Sequence, residues 1–442
     1  SGGADAVYIA PRLFHDALQP LVVHRTGQGY QAQVIDVQAI FDAWSYGFVD
    51  PAAIRNFLRY AVSTWKPSPI SAVLVGDGTH DPLNYLGHAN PNHIPPYLAD
   101  VDPEISVTAC DVCYGQLDGD DPLTGDGLGA ASTAVPAFLI DIWIGRLPVA
   151  DVGELKNVVD KILRYETDNN GVAAWRNRSI QISDDYLIQS QDGSVNTDDA
   201  GNFWQYIESV IELQPARINT ARIYYNAAVD PNLLDDNLRQ WYQKVLPWLV
   251  TNESAAQAMA INTLGGGAGL ATFTGHSNHW QWGRMGDTAG YDKRLFGLTD
   301  VDLLGNRNQL FIGLSMTCYT AQFTIPADYH GTLDERLVLH PNGGAVAMWG
   351  PTGLSTVPAH DALQIGFYRA LWKAPPLRGK LGELTQAGYT YVVTESPDHH
   401  QDVTKTFLLL GDPLTPARVR PLDILHLPRM SSAVQPAFSA AE

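Results

Sequence analysis

Two residues stand at the ends of apolar runs where they could do nucleophilic chemistry together. Leu310-Phe-Ile-Gly-Leu-Ser-Met-Thr-Cys-Tyr319 carries Cys318, and Gly269-Leu-Ala-Thr-Phe-Thr-Gly-His276 ends in His276. Both runs are short, aliphatic or β-branched, and punctuated by glycine, the pattern of a buried strand. Side by side in a parallel sheet they would deliver a thiol and an imidazole to one carboxyl edge, where open α/β sheets bind ligands. An imidazole there takes the thiol's proton or stabilises its thiolate, which makes an activated nucleophile. Taken singly, each residue has a plainer reading: Cys318 as a buried inert thiol, His276 as a loop histidine. His279, three residues after His276, opens a metal-dependent hydrolase as another reading, although no third ligand is spaced nearby. Gly275 lets a substrate approach the backbone. The N–H groups of Ser277 and Cys318 are reasonable donors to the oxyanion of an acyl-transfer intermediate.

The rest of the chain must position that pair. Strand and helix patterns alternate from residue 5 onward, which argues for a parallel sheet. Pro51 opens a helix whose Ile54, Phe57, Leu58, Ala61, Val62 and Trp65 share one face. Strands are expected over 72–76 and over 138–144, the second with Asp141 inside it. An acid within such a strand needs a partner, and an imidazole would serve. Asp151 and Glu154 have capping-box spacing for the next helix. A second alternation starts at Arg178, and its first strand ends in Asp184-Asp185. Helices are expected over 200–213, 233–250, 253–264 and 358–372, and the segment 407–413 is expected to close the core. The boundaries expected are an N-terminal α/β subdomain over 1–132, a catalytic subdomain over 133–420, and a tail or linker over 421–442.

Composition narrows the partners. A chain of 442 residues is long enough for two domains. A net charge of −19 spread along it disfavours nucleic acid and anionic membranes, both polyanions, and suits cationic peptides. No apolar run is long enough to insert into a membrane. The first residues, Ser1-Gly-Gly-Ala-Asp5, lack a signal-peptide pattern and suit a processed chain. Cys110 and Cys113 form a lone Cys-x-x-Cys. No second such pair completes a zinc site, and two residues read as part of a strand have little reason to pair. In Asp118-Gly-Asp-Asp-Pro-Leu-Thr-Gly-Asp-Gly127, the carboxylates of Asp118, Asp120 and Asp126 either wrap a structural calcium ion or form a solvated turn.

Several segments, in order, carry a family resemblance. They are Leu74-Val-Gly-Asp-Gly-Thr-His-Asp-Pro82, Cys113-Tyr-Gly-Gln-Leu-Asp-Gly-Asp120, Ile140-Asp-Ile-Trp-Ile-Gly-Arg-Leu-Pro148, Thr274-Gly-His276 and Ser315-Met-Thr-Cys318. Together with the helix from Pro51 to Tyr60, they make the chain resemble the gingipain family of cysteine peptidases, which share the caspase-like fold. The resemblance implies two caspase-like three-layer α/β/α subdomains with mostly parallel sheets. It implies an endopeptidase in which Cys318 attacks the scissile carbonyl, His276 protonates the leaving amine, and water hydrolyses the thioester. Asp141 stands where the family's histidine-orienting carboxylate is expected, one methylene shorter than the expected glutamate. Ser277 stands where many relatives have glycine, and its hydroxyl would narrow the site. The best-known relatives cleave after Arg or Lys through an acidic pocket. Asp184 and Asp185 are the candidates here, with a turn or cap role equally open, while helix capping explains Asp151 and Glu154. Thr274, Met316 and Trp349 are expected to line the pocket. The implied chemistry needs no cofactor, acts on a peptide or protein substrate, and belongs to an exported protein, extracellular or at a bacterial cell surface. The alternative is a catalytically silent caspase-like binding module or an uncleaved zymogen.

Overall fold

In the computed structural model, which describes residues 2–102, 104–119, 140–168, 174–190, 192–283, 293–326, 331–354, 356–372, 379–395 and 400–419, the buried runs become one eleven-stranded sheet. In chain order its strands are β1 (Ala6–Ala10), β2 (Ala32–Asp36), β3 (Ser71–Val75), β4 (Trp143–Leu147), β5 (Arg178–Ser183), β6 (Asn219–Tyr225), β7 (Leu249–Val250), β8 (Leu270–Thr274), β9 (Phe311–Met316), β10 (Ala345–Pro351) and β11 (Phe407–Leu410). Their order across the sheet is β7-β6-β5-β8-β9-β10-β11-β4-β3-β1-β2. Neighbours are parallel except at β10 and β11. Two parallel blocks therefore run in opposite directions and meet at one antiparallel seam. β1, β3, β8, β9, β10 and β11 are buried along their whole length. Continuous apolar runs of this kind are what a parallel sheet covered on both faces requires.

The helices form where apolar periodicity and a capping side chain coincide. Helix Pro51–Thr64 has Asp50 accepting from the Ala52 N–H, Pro51 in its first turn, and Ile54, Phe57, Leu58 and Ala61 buried. Helix Val152–Thr167 starts at Asp151, whose carboxylate accepts the N–H groups of Gly153 and Glu154. Asn202 and Asn252 cap helices Phe203–Ile211 and Glu253–Gly265 in the same way. No helix among the described residues is long and apolar enough to cross a membrane.

Three expectations are corrected. A boundary at residue 132 would place β4 in the catalytic half, yet β4 pairs with β3 and so belongs to the N-terminal block. The two blocks share a single sheet. Of the strand expected over 138–144, the described residues 140–142 lie outside β4, which starts at Trp143, so Asp141 precedes it and is exposed. Cys110 and Cys113 do form a disulfide, with Cα atoms 5.4 Å apart. They lie on a 3₁₀ turn, Asp111–Tyr114 and its cap, not on a strand. Residues three apart eclipse on such a turn, which brings the thiols together. Asp120, Asp126 and the tail 421–442 lie outside the described residues.

Buried ions tie distant segments together. Arg146 on β4 donates Nε to Asp111 Oδ2 at 2.6 Å and Nη2 to Oδ1 at 2.8 Å, and its third nitrogen donates to the Gly76 carbonyl at 2.8 Å. This bidentate pair anchors the disulfide turn to the sheet. Lys161, fully buried on helix Val152–Thr167, points its Nζ at four carbonyls, Leu337 at 3.1 Å, Val338 at 2.7 Å, His340 at 2.9 Å and Gly343 at 2.9 Å, while burial pushes its pKa well below the ordinary lysine value. These include the last carbonyls of helix Leu333–Leu339, which have no partner within the helix. Lys161→Met keeps the stem and removes the donors. It is expected to destabilise the protein by roughly 3 kcal/mol, seen as a lower urea midpoint. An unchanged midpoint would show that water replaces Nζ at no cost.

Candidate active site

The site is built by the pairing of β8 with β9. Their register sets Thr274 opposite Met316, and on the other side Thr274 opposite Ser183 of β5. The residues that follow each strand, Gly275-His276, Thr317-Cys318 and Asp184-Asp185, therefore emerge together at one carboxyl edge. Gly275 sits at φ +155°, and a Cβ there would lie 2.3 Å from the Cβ of Asp184. Only glycine lets the two strand ends come this close. Asp184 is fully buried, and its Oδ2 accepts the His276 backbone N–H at 3.1 Å. It fixes where the histidine leaves the sheet.

Cys318 is half-buried and outside any disulfide. It sits on a tight turn, with Tyr319 at φ +59°, a left-handed conformation that costs a non-glycine residue on the order of 1 kcal/mol. Surrounding bonds hold it there. Tyr319 N–H donates to the Gly353 carbonyl at 3.3 Å and Ala321 N–H to the Pro351 carbonyl at 2.8 Å. From beneath, the buried Asp334 accepts the Ser315 hydroxyl at 2.8 Å and the Thr320 hydroxyl at 2.9 Å, bracketing the cysteine. Burial pushes the Asp334 carboxyl up to about 7, against those two hydrogen bonds. The N–H of Cys318 donates to the Ser277 hydroxyl at 3.0 Å.

His276 is 39% exposed, so a substrate can reach its ring. Its Nε2 pairs with Asp198 Oδ2 at 2.9 Å, and Phe203 packs edge-on at 5.5 Å. The hydrogen bond to Asp198 raises the imidazole's pKa. Burial opposes it, and the charges of Asp184, Asp198 and Asp185 add to the rise. On Asp198 burial works upward, but the bond and charge of His276 and the Ala200 N–H hold the carboxyl below its ordinary value. An imidazole held toward its charged form is suited to stabilising a thiolate and then to donating a proton.

Asp141 does not take that role. Its Oδ2 accepts the Leu117 N–H at 2.7 Å. It precedes β4, which stands four places from β8 across the sheet, about 19 Å at the usual strand spacing. An aspartate cannot span that gap. The carboxylate that meets the histidine, Asp198, follows the hairpin Leu187–Gln189 and Val195–Thr197, and its N–H is held by the Tyr186 carbonyl at 2.8 Å. Its only signal in the sequence is an Asp198-Asp199 pair ahead of a helix, which reads equally well as a cap.

Asp185 is half-buried beside Asp184. Burial, and then the charges of Asp184 and Asp198, push its carboxyl up to about 8. Thr274, Met316 and Trp349 are at most 1% exposed. Trp349 packs among Phe367, Tyr389 and Phe407, so these three lie in the core beneath the site rather than in an open pocket. His279 diverges from His276. Its Nε2 bonds Gln322 Oε1 at 2.5 Å and its ring lies against Tyr319. Burial lowers its pKa. The two histidines serve different partners, and among the described residues no group of three or more His, Cys, Asp or Glu side chains is placed to hold a metal ion.

A thiol and an imidazole at the carboxyl edge of a mostly parallel α/β sheet are the groups a cysteine-dependent hydrolase requires. The model for peptidase family C25 matches residues 1–418. The chain belongs to that family, the gingipain family of cysteine endopeptidases. No curated protein sequence matches it. Among solved structures, the arginine-specific cysteine proteinase gingipain R shares 18% identity over 94% of this chain and 78% of its own, with a TM-score of 0.66. The complex of Porphyromonas gingivalis RgpB pro- and mature domains shares 19% over 93% and 79%, with a TM-score of 0.64. At such identities the likeness is one of fold. In a Cys318→Ala background, Asp198→Asn is expected to make His276 titrate at lower pH, read by NMR. With Cys318 present, turnover of peptide should fall by roughly tenfold or more. An unmoved titration would remove Asp198 from the site.

Proposed function

We propose that the protein cleaves peptide bonds with Cys318 as nucleophile and His276 as proton carrier, Asp198 taking the orienting role first expected of Asp141. The observation that carries this is the convergence of Cys318, His276 and Asp198 at one sheet edge, with the imidazole held toward its charged form. The thiolate sulfur attacks the scissile carbonyl carbon, and the π electrons move to the oxygen. Collapse of the tetrahedral intermediate expels the amine, which takes its proton from His276. Water, deprotonated by His276, then hydrolyses the thioester and frees the acid and Cys318. Because Nε2 faces Asp198, Nδ1 is the nitrogen that would serve the thiol. The N–H groups of Cys318 and Ser277 are the proposed oxyanion donors.

A basic P1 residue fits the same site. Asp185, with Asp198 and the buried Asp184, surrounds the imidazole with carboxylates. A substrate guanidinium or ammonium would offset the burial, and then the repulsion from Asp184 and Asp198, that keep Asp185 protonated. The chemistry needs no cofactor. A calcium ion on the segment containing Asp118, Asp120 and Asp126 is proposed only as a structural support. Export to an oxidising compartment is part of the reading, and the Cys110–Cys113 disulfide supports it.

The decisive measurement incubates wild type and Cys318→Ala with a fluorogenic peptide library of mixed P1. Cleavage by wild type alone is expected, strongest after Arg or Lys. Equal cleavage by both would end the cysteine-peptidase reading, and cleavage by neither would favour the silent module or zymogen. The pH dependence follows from Asp185. Its folded pKa of about 8 means that it is mostly protonated at pH 7 and ionised above. The ratio of kcat/KM for Arg over a neutral P1 should therefore rise as pH passes through about 8. Asp185→Asn should flatten that rise and lower the ratio by roughly tenfold. A ratio independent of pH in wild type would exclude Asp185 from the P1 pocket.

A further inference from the structure

We propose that the Ser277 hydroxyl occupies the oxyanion site at rest and must be displaced by the substrate's carbonyl oxygen before Cys318 can complete its attack. The inference deepens the peptidase reading and rests on Cys318 being the nucleophile.

The geometry around this hydroxyl is closed. Cys318 N–H donates to Ser277 Oγ at 3.0 Å, and Ser277 Oγ donates to the Cys318 carbonyl at 2.5 Å. The Thr317 hydroxyl lies 2.6 Å from Ser277 Oγ and 2.6 Å from the Gly275 carbonyl. A serine hydroxyl has one hydrogen and two lone pairs. Here the hydrogen goes to the Cys318 carbonyl, one lone pair takes the Cys318 N–H, and the other faces Thr317. The side chain thus sits astride the peptide groups of the nucleophile. The backbone of residue 277 is fixed separately. It pairs with Trp282 in a short hairpin, and the preceding His276 carbonyl accepts the Gly283 N–H at 2.9 Å. The hydroxyl can therefore turn about χ1 while the chain stays in place.

The position matters because of what the attack creates. When Sγ bonds the carbonyl carbon, the new oxyanion lies within reach of the N–H of the same cysteine. That N–H is the donor Ser277 holds. A neutral carbonyl oxygen competes with a hydroxyl on roughly equal terms. A full oxyanion forms a charge-assisted bond about twice as strong. Displacement is then favoured only as charge develops, so the hydroxyl acts on the chemical step rather than on substrate capture. It also favours substrates whose remote contacts hold the carbonyl firmly against it. Ser277 is in this sense a specificity-determining residue. With no side chain at residue 277, the same N–H would stand open to substrate.

Two reagents separate the thiol from the oxyanion site. Iodoacetamide is attacked at an sp³ carbon with loss of iodide and forms no oxyanion. A peptide aldehyde adds the thiol across C=O: the S–C bond forms, the π electrons go to oxygen, and the product is a thiohemiacetal whose oxygen needs the site. Ser277→Ala and Ser277→Gly are expected to raise kcat by about three- to tenfold and to tighten the aldehyde by a similar factor. Alkylation by iodoacetamide should stay within about twofold, and Ser277→Thr should return the wild-type values by restoring the hydroxyl. Weaker aldehyde binding and lower kcat at unchanged alkylation would overturn the proposal by making the hydroxyl an oxyanion donor. Slower alkylation in both variants would also overturn it, by making the hydroxyl a brace for the cysteine. No change in any readout overturns it as well. Failure of the underlying reading looks different: Cys318→Ala would retain peptide cleavage.

Discussion

The register of β8 against β9 is the constraint on which the site depends. Thr274 opposite Met316 puts the residues after both strands on one edge. A slip of one residue would turn one of the two side chains to the other face of the sheet. That register is protected by packing on both sides. Gly275 admits the Cβ of Asp184, Asp184 holds the His276 N–H, and the Thr317 hydroxyl reaches back to the Gly275 carbonyl. The His276 N–H and Asp184 Oδ2 satisfy each other, as do the Thr317 hydroxyl and the Gly275 carbonyl, which is what allows these groups to be buried.

The N-terminal block is a buttress for this edge. The hairpin Leu98–Asp102 and Ser106–Ala109 meets the turn after β10 through reciprocal bonds. Thr108 donates to the Thr352 carbonyl at 2.6 Å, and Thr352 donates to the Ala109 carbonyl at 2.7 Å. Asp102 accepts the Leu354 N–H and, at 3.4 Å, the Tyr319 hydroxyl. The next turn carries the disulfide and Asp111, which Arg146 locks to β4. A continuous set of bonds therefore runs from the distant block to Tyr319, the residue whose unfavourable φ shapes the cysteine turn. Local strain at the Cys318 turn is held by contacts made hundreds of residues away.

Electrostatics at the edge oppose the usual economy of buried charge. Asp184, Asp185 and Asp198 crowd one imidazole. Two of them respond in opposite directions, Asp198 ionised by its bond to the ring and Asp185 driven toward its neutral form. Such divergence of neighbouring carboxyls is common where proton transfer or cation binding takes place.

Local pattern alone determined much of this protein. The runs ending in Cys318 and His276, the helix opened by Pro51, and the capping at Asp151 are fixed by hydrophobic period and side-chain hydrogen bonds within a few residues, and all form as read. The strand pairing that unites thiol and imidazole followed from the parallel alternation. What local pattern could not determine was decided by the sheet order. Asp141 has the right chemistry, but β4 lies four strands away from β8, and strand order is a long-range property that no window of sequence contains. Asp198 has no local signature and meets His276 from the segment that follows the hairpin Leu187–Gln189 and Val195–Thr197. The Cys110–Cys113 bond depended on a turn in place of a strand, and the grip of Ser277 on Cys318 joins residues forty-one apart. The disulfide aside, each of these is a contact between segments far apart in the chain, and their separation in space is set only when the sheet forms.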